Sequence, residues 1–146
     1  MIKFREIAQD IFDVPTDIIF ITTNGTIKSD GSGVMGAGVA LEAELRYPEL
    51  PDILGKVVRD GGNIPHRMLT TLDNEIWSFP VKHNWFEKAD IFLIEESCKR
   101  VACLLEKGYT CVLPRPGCGN GKLSWDLVKP LIEKHLNYKN LIIVYK

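Results

Sequence analysis

Cysteine is scarce in this chain and histidine scarcer, with four and three among 146 residues. Cys98, Cys103, Cys111 and Cys118 form no CxxC pair and have no nearby histidine at ligand spacing, so a metal site is not expected. They read as reduced thiols, which suits a cytoplasmic protein better than a disulfide-bonded secreted one. Long apolar runs are missing too. Residues 18–21 are uninterrupted, but four residues fall far short of a membrane span. Lys3, Arg5 and Glu6 break up the N-terminus, so no secretory leader is expected. Neither sign of charge dominates: 18 Lys and Arg face 19 Asp and Glu, for a net charge of -1 and a pI near 6.3. Tight non-specific nucleic-acid binding is thereby disfavoured, and only a local basic patch stays open. Repeats, linkers and low-complexity tracts are absent, so residues 1–146 read as one domain, long enough for a real core.

What the chain does have is glycine concentrated in two places. Gly31, Gly33, Gly36 and Gly38 form one loop; Gly117, Gly119 and Gly121 form another. Each lies between an apolar strand and a helix-compatible stretch. Glycines let a backbone approach a ligand and reach positive φ, and the N–H groups of loop and helix start can point at an anion. Two such loops suggest a diphosphate held from both sides.

Periodicity supplies the frame. Strands are predicted over residues 2–7, 17–22, 68–72, 76–79, 111–113 and 141–145, with the third and fourth paired as a hairpin around Asp73-Asn74. Asp10 falls in the turn after the first strand. One helix carries Val39, Leu41, Ala43 and Leu45 and ends before Pro48; the next starts at Pro51 and stops at Gly61-Gly62. Asp90 opens a helix closed by Gly108, and a last helix covers residues 125–136. Strands mixed with helices throughout predict a three-layer α/β domain with a mixed sheet. Both glycine loops then lie outside strand carboxyl ends, where such folds bind ligands.

Familiar motifs fit poorly. Gly31, Gly33 and Gly36 satisfy GxGxxG, but they stand too far past the strand, and the following helix leads into another helix. Gly121-Lys122 resembles a P-loop ending, yet Pro116 and Leu123 occupy positions that need a glycine and a hydroxyl. Cys118 as nucleophile would need a base in space, with only His66, His83 and His135 on offer; a small side chain filling space beneath the loop is the better reading. Lys82 and His83 follow an apolar strand. Trp85 and Phe86 after them could pack over a cleft, stack on a base or belong to the core. A lysine beside a cleft can bind phosphate or attack a carbonyl-like carbon as a neutral amine.

Four segments, in order and spread over most of the chain, carry a family resemblance: residues 20–24 (FITTN), 34–40 (VMGAGVA), 79–82 (FPVK) and 114–125 (PRPGCGNGKLSW). Together they resemble the macrodomain, the ADP-ribose-binding fold. Within it the likeness is to the branch of the terminal ADP-ribose protein glycohydrolase and the DNA ADP-ribosyl glycohydrolase antitoxin. That branch has a lysine after the middle strand and a Gly-Cys-Gly loop leading to a tryptophan, here Lys82, Gly117-Cys118-Gly119 and Trp125.

The resemblance implies roles for particular residues. Asp10 accepts a hydrogen bond from the adenine amino group, with Ile11 beside it. Val34, Met35, Gly36, Ala37, Gly38 and Val39 cover the pyrophosphate and distal ribose. Gly117, Cys118, Gly119, Asn120 and Gly121 wrap the phosphates from the other side, and Asn24 and Pro114 join this ligand-binding set. Lys82 sits at the anomeric carbon and forms a covalent adduct there. The protein glycohydrolase pairs its lysine with an aspartate that aligns with Gly121; the DNA-acting relatives lack it as well. Three functions follow from the resemblance: hydrolysis of ADP-ribose from protein or DNA, binding without turnover, or removal of phosphate from ADP-ribose 1''-phosphate. A cytoplasmic monomer is expected, with ADP-ribose or an ADP-ribosylated partner, no cofactor, no metal and no membrane.

Overall fold

A computed structural model describes residues 1–145. Six strands form one sheet: β1 (Arg5–Ala8), β2 (Ile18–Asn24), β3 (Arg67–Thr70), β4 (Glu75–Lys82), β5 (Cys111–Pro114) and β6 (Leu141–Tyr145). Their spatial order is β1-β6-β5-β2-β4-β3. Every neighbouring pair is parallel except β3 with β4, which form the antiparallel hairpin the turn residues indicated. The sheet is mixed, as expected.

Four helices cover its faces. α1 (Val39–Arg46) and α2 (Leu50–Gly61) pack on one side, α3 (Ile91–Glu106) and α4 (Trp125–His135) on the other. Alternation along β2 feeds both layers. Ile18 and Phe20 join Phe79, Ile94 and Ile132 in one core, while Ile19 and Ile21 join Leu50, Leu54 and Ile76 in the other. Burial on two faces explains why β2 and β5 read as unbroken apolar runs. α3 starts where its cap puts it: Asp90 accepts a bond from the Phe92 N–H at 2.9 Å, and Ile94, Cys98, Val101 and Leu105 then recur on the buried side. Among the described residues, no helix is long and apolar enough to cross a membrane.

The first strand differs from its prediction. It runs over Arg5–Ala8, not residues 2–7, because it pairs with β6 at the sheet edge, in a register that sets Arg5 against Ile142 and Ala8 against Tyr145. Upstream, the chain is tied instead by side chains: the Lys3 N–H donates to Asn137 at 2.7 Å. β2 and β4 also run further than their apolar centres, to Asn24 and Lys82, which pair across the sheet. That extension brings the two polar residues to the sheet's carboxyl edge side by side.

Candidate functional site

Between β5 and β2 the chain's progress across the sheet reverses, since β4 lies on the far side of β2. At the carboxyl ends of these strands opens a cleft of about 540 Å³. Asn24, Lys82 and Pro114 line it from the strand ends. Met35, Gly36, Ala37, Gly38 and Val39 line it from the first glycine loop, and Gly117, Gly119, Asn120 and Gly121 from the second. Gly38, Val39, Pro114, Arg115 and Gly119 are shared with a second chamber of about 470 Å³, where Asp10, Ile11 and Cys118 are found with Trp125 and Tyr145. The volumes suit a small organic ligand extended across both chambers. Val34 lies behind its loop and lines neither chamber.

The first loop is tied at its root. Asn24, nearly buried, donates from Nδ2 to the Val34 carbonyl at 2.9 Å and accepts the Thr26 N–H at 3.0 Å. Beyond that anchor the chain turns through Gly36 and Gly38 with φ of 75° and 65°, conformations glycine takes at no steric cost. Gly38 is the N-cap of α1 and offers no side-chain cap, so the helix's first N–H groups are left for something else to satisfy. The second loop also keeps donors in reserve. The N–H groups of Gly119, Asn120 and Gly121 make no hydrogen bond among the described residues. Both loops therefore face the cleft with unspent donors, the arrangement an anion requires.

Lys82 closes β4 at one end of the cleft. Its Nζ donates to the Trp85 carbonyl at 3.3 Å, and its own carbonyl accepts from Asn63 Nδ2 at 3.0 Å. At the other end Asp10 caps a short 3-10 turn, Ile11–Asp13, by accepting the Phe12 N–H at 2.9 Å. Cys118 is half-buried, and burial pushes its thiol up to about 11 against the pull of Arg115. Cys118 packs against the core beneath the loop and also lines the second chamber.

Gly121 explains its own identity. A Cβ there would stand 2.5 Å from the Gly117 carbonyl oxygen and 2.7 Å from Ala89 Cβ. The position aligned with an aspartate has no room for any side chain.

Sequence reasoning passed over Arg115. Its guanidinium lies 4.2 Å over the Tyr145 ring and 5.1 Å over Trp125, and its Nη2 meets Glu6 at 3.2 Å. Its Nε is buried and has no hydrogen-bond partner among the described residues. Glu6 also takes Lys129 at 2.8 Å and the Trp125 indole N–H at 3.0 Å. Burial opposes ionisation of Glu6, but the bonds from Lys129 and Arg115 outweigh it and hold the carboxyl below its ordinary value. The one signal in the sequence was a cation inside a glycine loop; its partner, over a hundred residues earlier, carried none.

No family model matches the chain. Over 141 residues it is 26% identical to the DNA ADP-ribosyl glycohydrolase of Thermus aquaticus, covering 90% of this chain and 37% of that protein. The chain thus spans well under half the length of the curated relatives it matches. Among solved structures, the macrodomain of Thermus aquaticus DarG superposes with a TM-score of 0.77 at 25% identity, over 98% of this chain and 97% of that one. Thermosipho africanus DarTG in complex with ADP-ribose superposes with a TM-score of 0.75 at 21% identity, over 93% of this chain and 40% of that one.

Proposed function

The chain is a macrodomain of the DarG type, and on that premise we propose that it binds ADP-ribose across both chambers and hydrolyses it from modified DNA. One observation carries the reading: an amine, Lys82, and a carboxylate, Asp10, stand in separate chambers joined at two loops of unspent N–H donors. The activity by which the Thermus aquaticus relative is known supports the substrate class, and the Thermosipho africanus complex supports the ligand. The four free thiols suit a reducing cytoplasm, where the proposal has the domain act as a monomer.

In this reading adenine enters the smaller chamber and donates its amino hydrogen to Asp10. The diphosphate crosses the junction under the N–H groups of both loops, with Arg115 beside it. The distal ribose then reaches the larger chamber with its anomeric carbon toward Lys82. The neutral Lys82 amine bonds to that carbon as its bond to the DNA base breaks. The electron pair of the broken bond stays with the base, which takes up a proton. Ring opening turns the adduct into a Schiff base. Water adds to the same carbon, the C–N bond breaks, and free ADP-ribose and the lysine amine are restored.

The experiment is release of ADP-ribose from an ADP-ribosylated oligonucleotide. Lys82→Ala should abolish release and leave ADP-ribose affinity within a few-fold. Borohydride should cross-link sugar to the wild type and not to the variant. Release surviving in Lys82→Ala would replace the lysine with direct attack by water. Binding without turnover is the second reading, favoured by the closed space at Gly121, which denies the lysine a carboxylate partner from that loop. An inactive wild type that still binds ADP-ribose would make it the better one.

A further inference from the structure

Trp85 and Phe86 are 55% and 69% exposed and adjacent in the chain, at the mouth of the cleft. Their rings meet edge to face, with centroids 5.8 Å apart and planes at 89°. The pair is not a frayed loop. The Trp85 N–H donates to Thr26 Oγ1 at 2.9 Å, and its carbonyl accepts from Lys82 Nζ at 3.3 Å. These bonds fix the aromatic rim beside the amine. Trp85 lines the larger chamber, and Phe86 stands beyond it.

Cations gather on the same rim. The Ala89 N–H donates to the Gly121 carbonyl at 3.1 Å, joining this stretch to the second glycine loop. Lys88 precedes one end of that bond and Lys122 follows the other. Both are exposed, and neither is in an ion pair among the described residues. The carboxylates nearby are engaged: Glu87 accepts from Asn84 at 2.9 Å, and Asp90 meets His83 at 2.7 Å.

We infer that this rim is a stacking platform for the single-stranded DNA that carries the modification. Trp85 and Phe86 stack on nucleotides flanking the modified base, and Lys88 and Lys122 face their phosphates. The inference rests on the cleft reading above. If the sugar's anomeric carbon lies at Lys82, the attached base and its strand must leave past Trp85. Aromatic faces stack on any base, and neighbouring lysines track the backbone, which together describe a single-strand site. A chain of net charge -1 also needs a local basic patch to meet a polyanion.

The test has two independent arms. Fluorescence anisotropy follows an unmodified oligothymidylate of about ten nucleotides, and calorimetry follows ADP-ribose. Phe86→Ala should weaken the oligonucleotide by roughly 5- to 100-fold, the range for losing one stacked base. Lys88→Ala with Lys122→Ala should flatten the dependence of log affinity on log salt by about 1.4, for two phosphate contacts on a single strand. Neither Phe86 nor these lysines line the cleft, so ADP-ribose affinity and melting temperature should hold. Oligonucleotide affinity indifferent to all three changes overturns the platform. An equal loss on an ADP-ribosylated peptide overturns it in favour of a protein-facing surface. Oligonucleotide binding that depends on Phe86, in a wild type that does not bind ADP-ribose, keeps the platform and removes the cleft reading.

Discussion

The two glycine loops reach one cleft by opposite means. The loop from Gly117 to Gly121 is braced from within and from outside. The Cys118, Lys122 and Leu123 N–H groups donate to the carbonyls of Arg115, Gly119 and Gly117, and the Ala89 N–H reaches across to Gly121. Gly121 is glycine because neighbouring atoms leave no space for a Cβ, and at Gly117 the same crowding adds to a φ of 76°. The loop through Gly36 and Gly38 has its anchor at Val34, and a Cβ at Gly36 would meet nothing within 4 Å. There glycine is required by φ alone. Thus one loop is a wall in which packing closes the space around its glycines, and the other a strap in which open glycines answer to backbone conformation. Glycine counts alone cannot tell them apart.

The sharpest break in that comparison is Gly121→Asp, which restores the carboxylate of the protein glycohydrolase pattern. Its Cβ would collide with the Gly117 carbonyl, so the backbone must move. The expected cost is about 3 kcal/mol, a fall in melting temperature on the order of 10 °C, with release of ADP-ribose lost rather than gained. A stable, more active variant would show that the wall yields and would revive the aspartate mechanism.

Gly119→Glu probes the same loop where it is open. Gly119 is exposed, and its Cβ would meet nothing within 4 Å. Melting should therefore stay unchanged. A carboxylate on the cleft wall should repel the diphosphate and reduce ADP-ribose affinity by on the order of a hundredfold, read by calorimetry. Full affinity in this variant would remove the loop from the phosphate site.

At the far end of the cleft, Asp10→Ala should cost on the order of 1.5–3 kcal/mol of ADP-ribose affinity, the range for a bond to a charged group. Preference for the adenine over the hypoxanthine ligand should vanish with it, since the Asp10 carboxylate needs a donor. Unchanged affinity and preference would put the base elsewhere. In the open strap, Gly36→Ala should cost less, about 1–2 kcal/mol of stability from forcing a Cβ into the left-handed region. A loss as large as that of Gly121→Asp would erase the difference between the loops.

Much of this was legible from the chain itself. Apolar runs marked the central strands because parallel strands bury both faces, and Asp90 marked its helix because a cap is local chemistry. The limits of β1 were not legible, since register with β6 set them and the Asp10 turn marked only roughly where the strand ends. On α1 the buried residues are Ala40 and Ala43, while Leu41 and Leu45 are exposed, so the larger apolar residues do not mark the side that packs. The cleft's glycines and Lys82 sit close to strand ends and could be found by position. Arg115 depends on Glu6, and a contact across the whole chain leaves no local trace.

The smallest effect separates the loops by pH. The braced loop is tied to β1 through Glu6, which meets Arg115, Lys129 and Trp125; the strap is tied through the uncharged Asn24 amide. Glu6 is held below its ordinary value of 4.5, so its contribution is complete above 4.5 and is lost as pH falls through the folded-state value. Lys129 is raised above its ordinary value of 10.5, chiefly by its bond to Glu6, so its share is complete below 10.5 and is lost as pH rises through the raised value. The difference in melting temperature between the wild type and Glu6→Gln should therefore be level across the neutral range and shrink in acid. It should be modest throughout, because partly exposed pairs are screened. Added salt should shrink it further. A difference that persists undiminished well below pH 4 would mean that the Glu6 carboxylate is not what secures the second loop.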